Sequence, residues 1–216
     1  MRLPLPGREF PAGNESMQNI LVKKNNVAAA FAGLLHETRI IPAVKSPEEL
    51  DRILTGPEKL VFVLFGDILT IPDIAARLKA ADKTVLVHLD LIDGLNSREV
   101  AVDFLAGNTR ADGILSIKAN LVKYAKSRGL LAVQRFFVLD SMALINVEKQ
   151  FPLDYADAVE ILPGLMPKVI RRLAGLTDKP IIAGGLITDR QDVKSALDAG
   201  AAAVSTTKLD LLQGTG

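Results

Sequence analysis

From Arg39 to Thr207 the chain alternates short, mostly apolar runs with longer segments whose apolar positions recur at helical spacing. The apolar runs are Ile40–Ala43, Leu60–Leu64, Val85–Leu89, Gly113–Ser116, Leu130–Leu139, Ala158–Leu162, Ile181–Ala183 and Ala202–Ser205. Runs of this length without strict polar alternation predict parallel strands buried on both faces. Helix starts lie between them. Ser46-Pro47-Glu48-Glu49 supplies an N-cap, a proline at the first helical position and two acids in the first turn. Pro72-Asp73, Ser97-Arg98-Glu99, Pro167-Lys168 and Thr188-Asp189 open others in the same way. Eight strands joined by right-handed helical crossovers predict an α/β fold, a parallel (β/α)₈ TIM-type barrel, with a doubly wound open sheet as the alternative. After Thr207 little chain remains, so the final helix is expected to be short, and a helix over Val27–Leu35 is placed to close the bottom of the barrel. Met1–Asn26, rich in Pro, Gly and Asn and without a period, predicts a poorly ordered extension, leaving 27–216 as a single barrel domain.

Composition narrows the setting. A chain of 216 residues with 49% hydrophobic content suits one sizeable core. With no cysteine there are no disulfides, thiol nucleophiles or Cys-based metal sites. No apolar run approaches the roughly 18 residues that span a bilayer, and the start lacks the order of a signal peptide. The expectation is a soluble cytoplasmic protein with no membrane partner. Lys and Arg number 26 against 25 for Asp and Glu, so a nucleic-acid face has to be a local patch.

Barrel logic directs attention to the carboxyl ends of the strands, where function sits. Gly184-Gly185 follow the seventh apolar run; without a Cβ their N–H groups can approach an anion, and a helix beginning near Thr188-Asp189 would add its positive end. Thr206-Thr207 end the eighth run with hydroxyls. Together the two loops resemble the phosphate site of a (β/α)₈ barrel, although paired glycines also serve a plain tight turn. His88 and Asp90 share one face of an extended segment and could bind a hydroxyl, act as acid and base, or cap a strand end. Glu160 interrupts an apolar run, so its carboxylate must face a polar cavity or pair with Lys118 or Arg135. Lys118, two residues past its strand, suits neutralising a phosphate better than Schiff-base chemistry. With His36 the only other histidine, a His-rich metal site is not expected; a divalent ion on Asp90 and Glu160 stays open.

The strings His88-Leu-Asp-Leu-Ile-Asp-Gly-Leu95, Gln134-Arg135-Phe-Phe-Val-Leu-Asp140, Val159-Glu-Ile-Leu-Pro-Gly-Leu-Met-Pro-Lys168 and Ala183-Gly-Gly-Leu-Ile187 resemble the glycerol uptake operon antiterminator regulatory proteins. The resemblance runs from about Arg39 to Thr207. It implies a barrel-fold regulator rather than an enzyme, one that senses glycerol 3-phosphate and acts on the leader mRNA of glycerol-utilisation genes. Its effector would be a small phosphorylated polyol, with no cofactor and no catalytic set, and a homo-oligomer is compatible with it. On this reading Gly184, Gly185, Thr206 and Thr207 hold the phosphate, His88, Asp90 and Glu160 take the glycerol hydroxyls, and Lys118 adds charge. Two basic patches offer an RNA surface: Lys118, Lys123, Lys126 and Arg128, and Lys168, Arg171 and Arg172 at helical spacing. An enzyme on the same scaffold, a prenyltransferase or isomerase of a polyol phosphate, is the rival function. A sensor that binds ligand and a protein partner is a third.

Overall fold

Eight parallel strands close into a barrel in chain order, β1 pairing with both β2 and β8. The computed structural model describes residues 17–212. The strands are β1 (Ile40–Val44), β2 (Leu60–Val63), β3 (Thr84–His88), β4 (Gly113–Ser116), β5 (Leu131–Phe137), β6 (Ala158–Leu162), β7 (Ile181–Gly184) and β8 (Ala203–Thr206). The helices are α1 (Met17–Thr38), α2 (Pro47–Leu54), α3 (Ile71–Ala80), α4 (Glu99–Asn108), α5 (Ala119–Ser127), α6 (Ser141–Glu148), α7 (Pro167–Ala174) and α8 (Arg190–Asp198). This is the expected barrel, and the open sheet is set aside by the β1–β8 pairing.

Local chemistry accounts for the helix starts. Ser46 Oγ accepts from the Glu49 amide, 3.3 Å, and Pro47 takes the first helical position, where its missing N–H costs nothing. Asp140 Oδ1 caps α6 through Ala143 N–H, 2.7 Å, and β5 ends at Phe137, short of the expected Leu139. Asp189 and Asp192 form a reciprocal capping box at α8.

The core has two layers. Outward-facing strand residues pack against the helices, with Val61, Val85, Ile114, Val159 and Ile181 among them. Inward-facing residues Ile41, Ala43, Leu60, Phe62, Leu86, Leu115, Val133, Ala158, Ile182 and Ala203 fill the barrel. Phe31 and Leu35 of α1 join this inner cluster. α1 thus closes the amino end, as the sequence suggests, but it starts at Met17, ten residues before the expected Val27. The expected extension is therefore helical over 17–26, and 1–16 lie outside the described residues. The expected short final helix is a 3₁₀ turn, Leu209–Leu212, packed near β1. No helix among the described residues is long and apolar enough to cross a membrane.

Candidate functional site

Strand periodicity decides what sits above the apolar inner layer. Side chains alternate, so the residue two beyond each inner apolar one also points inward. Two past Leu86 is His88, two past Val133 is Arg135, two past Ala158 is Glu160, two past Ile182 is Gly184, and two past Ala203 is Ser205. The barrel interior therefore turns polar toward its carboxyl end. Register brings Arg135 beside Glu160 and Gly184 beside Ser205.

These side chains form a connected set. Arg135 Nε–H donates to Glu160 Oε2 at 2.5 Å, and Ser205 Oγ–H donates to Oε1 at 2.5 Å. Glu160 is fully buried and the Arg135 side chain is 8% exposed. Above them opens a cavity of about 280 Å³ lined by Arg135, Glu160, Ser205, Thr207, Lys208 and the Gly185–Thr188 turn, with Ala43, Leu64, Leu162 and Thr206. Gly184 has a structural reason to be glycine: a Cβ there would stand 2.6 Å from both Glu160 Oε1 and Ser205 Oγ. Gly185 has φ +72° and Leu186, exposed at the rim, has φ 62°, so two successive left-handed residues wrap the backbone around the cavity edge. For leucine that conformation costs on the order of 1–2 kcal/mol, and such strain collects at binding sites.

The expected site residues divide. Glu160, Gly185, Thr206 and Thr207 line the cavity, with Gly184 directly beneath. Glu160 is ion-paired with Arg135, the structural alternative its sequence context left open. Thr206 Oγ1 donates to the Ile187 carbonyl, 2.9 Å, and accepts from the Lys208 amide, 3.0 Å, so its hydroxyl joins the two loops. Thr207, the inward-facing residue of the pair, brings its side chain to the cavity.

His88, Asp90 and Lys118 do not line it, because β3 and β4 lie across the closed barrel from β7 and β8. Buried His88 places Nδ1 3.8 Å from Asp90 Oδ2, too far for a hydrogen bond. Burial, then the neighbouring Arg135 charge, lowers its pKa to about 4 against the opposing pull of Asp90, so the ring is neutral at pH 7. Asp90 Oδ2 accepts the Ile117 amide, 3.0 Å, which ties the β3 end to the β4 end. Lys118 occupies the N-cap position of α5, its amide held by Ser116 Oγ.

The expected contribution of the α8 N-terminus is also redirected. Asp192 Oδ2 takes Thr188 N–H and Oγ1–H and Asp189 N–H, and this hydrogen bonding lowers its pKa. Carboxylates thus occupy the helix start where an anion was expected. The sequence by itself assigns no ligand role to Arg135, Ser205 or Lys208. The period-two pattern of β5 and β8 points to the first two; Lys208 carries no such signal. Among the described residues no group of three or more potential ligands could hold a metal ion.

The basic patches differ. On α5 and its C-cap, Lys126 pairs with Asp157 at 2.7 Å, Arg128 with Asp103 at 2.8 Å, and Lys123 Nζ stands 4.8 Å over the Tyr155 ring. On α7, Arg172 pairs with Glu148, while exposed Lys168 and Arg171 make no ion pair among the described residues.

A closed parallel barrel with a cavity at its carboxyl end belongs to a widely shared fold. A deoxyribose phosphate aldolase from Aeropyrum pernix matches it at TM-score 0.61 and 17% identity, over 92% of this chain and 97% of that one, a likeness of fold alone. The family described as glycerol-3-phosphate responsive antiterminator matches residues 40–212, and the chain belongs to that family. The glycerol uptake operon antiterminator regulatory protein of Listeria monocytogenes str. 4b F2365 is 32% identical with TM-score 0.77, over 81% of this chain and 95% of that one. A glycerol uptake operon antiterminator-related protein of Thermotoga maritima MSB8 is 36% identical with TM-score 0.70, over 81% and 97%. The uncharacterized protein YgcP of Escherichia coli strain K12 is 39% identical over 174 residues, 81% of this chain and 91% of YgcP.

Proposed function

We propose that the chain binds glycerol 3-phosphate in the cavity at the carboxyl end of the barrel and, so occupied, binds the leader mRNA of glycerol-utilisation genes to prevent transcription termination. The observation that carries this reading is the make-up of the cavity rim: a cation at Lys208, Thr207 and the left-handed Gly185-Leu186 turn all border one small cavity. The phosphate lies against Lys208, Thr207 and main-chain N–H groups of the turn. The glycerol end reaches down toward Arg135 and Glu160. Both Glu160 oxygens already accept hydrogen bonds, which supports holding a ligand over abstracting a proton from it. Lys168 and Arg171 on α7 are the RNA-phosphate contacts, because the α5 cations are largely engaged elsewhere.

Calorimetric titration with glycerol 3-phosphate tests the ligand. Lys208→Glu reverses the rim charge at an exposed position. Wild type is expected to bind and the variant to lose at least tenfold in affinity, about 1.4 kcal/mol. Equal affinities would remove the phosphate from this rim. For the RNA, Lys168→Ala with Arg171→Ala is expected to weaken leader binding and flatten its salt dependence by about one to two in log–log slope.

A further inference from the structure

Arg135 is nearly buried yet underused. A guanidinium carries five N–H donors. Among the described residues its one hydrogen bond is Nε–H to Glu160, while the residue lines the cavity and its two Nη groups meet no protein acceptor. Its position is locked from behind, since Glu160 is itself fixed by Ser205 and by the absence of a side chain at Gly184. A rigid fork at the floor of a small, largely apolar-walled cavity is a recognition element.

We propose that Arg135 is the specificity-determining residue of this cavity, donating its Nη hydrogens to an uncharged oxygen at the end of a small phosphomonoester opposite its phosphate. The inference rests on the ligand reading above and adds which end of the ligand is read, and by what. Charge selects the class of oxygen. Arg135 is already neutralised by Glu160 at 2.5 Å, so a carboxylate or second phosphate at the floor would come close to a buried carboxylate with no cation left to offset it. A hydroxyl or carbonyl oxygen accepts from the fork without that repulsion. A ligand lacking the oxygen leaves the desolvated Nη hydrogens unpaired, and sites built this way reject such analogues strongly. The volume of about 280 Å³, at the small end for ligand sites, limits the ligand to a few carbons.

Four probes titrated into the wild-type protein test this: glycerol 3-phosphate, propyl phosphate, 3-phosphoglycerate and inorganic phosphate. Glycerol 3-phosphate is expected to bind at least about tenfold more tightly than each of the others. Arg135→Lys keeps a cation for Glu160 but loses the planar fork. In that variant, checked for an unchanged circular dichroism spectrum, glycerol 3-phosphate is expected to weaken to the level of propyl phosphate while propyl phosphate itself is unchanged. Tight binding of 3-phosphoglycerate would overturn the proposal, making the floor an anion site. So would an equal loss for glycerol 3-phosphate and propyl phosphate in Arg135→Lys, which would put the phosphate on the guanidinium. The wild-type series decides independently should the variant fail to fold. If glycerol 3-phosphate binds without discrimination, only this inference falls; if none of the esters binds, the ligand reading falls with it.

Discussion

His88 and Glu160 point inward from the layer directly above the apolar filling of the barrel, and burial acts on them in opposite ways. Glu160 stays in the interior because an arginine and a serine hydroxyl replace its water. His88 has no such replacement: its Nδ1 is unpartnered, and the proton it would bind is disfavoured by burial and by Arg135. The unfolded chain protonates this histidine at its ordinary pKa of 6.5, the folded chain only at about 4. Stability from this residue is therefore complete above pH 6.5, falls as pH drops toward 4, and levels off below. The full loss is about 3 kcal/mol, on the order of 1.4 kcal/mol per unit of pKa difference. Urea unfolding at pH 7.5 and 4.5 should show most of this loss in wild type and a smaller one in His88→Gln; equal losses would place the titration elsewhere. The polar character of these residues was legible in the sequence, since a carboxylate inside an apolar strand demands a partner. Which partner was not, because Arg135 meets Glu160 only through the β5–β6 register.

At the level of elements, the caps and strand runs read well because their causes are local: an N-cap, a proline and an acid within four residues suffice to start a helix. α1 shows where local signals stop. Its start at Met17 carries no local signal, since Lys23-Lys24-Asn25-Asn26 offers no apolar period. Its end is held by tertiary contact instead, with Leu35 fully buried in the barrel's inner cluster. Leu35→Ala should cost about 2–5 kcal/mol, read as a lower urea midpoint at unchanged slope. A cost within 0.5 kcal/mol would mean that α1 is not what seals the amino end.

Across the whole molecule, the cavity draws on both sides of the chain's closure, with Ala43 and Leu64 from its beginning and Thr207 and Lys208 from its end. A ligand there bridges segments far apart in sequence and stabilises the closed barrel by mass action, about 2.7 kcal/mol at a hundred times its Kd. The proposed coupling to RNA would carry a reciprocal requirement: whatever factor glycerol 3-phosphate adds to leader affinity, the leader must add to glycerol 3-phosphate affinity. Titrating each partner in the presence and absence of the other measures both factors. Unity in both directions would leave a ligand-binding barrel whose RNA affinity does not respond to ligand.

By itself the sequence determined the barrel, its strand and helix order and the end at which polar chemistry gathers, because hydrophobic period, caps and right-handed crossovers are properties of short segments or of their order. It also marked Glu160, Gly185 and Thr207. Only the tertiary structure decided that Arg135, Ser205 and Lys208 complete that cavity while His88, Asp90 and Lys118 stand apart from it. Barrel closure puts β3 and β4 opposite β7 and β8, and the stagger between strands chooses which buried charge meets which. Neither is a property of any single segment.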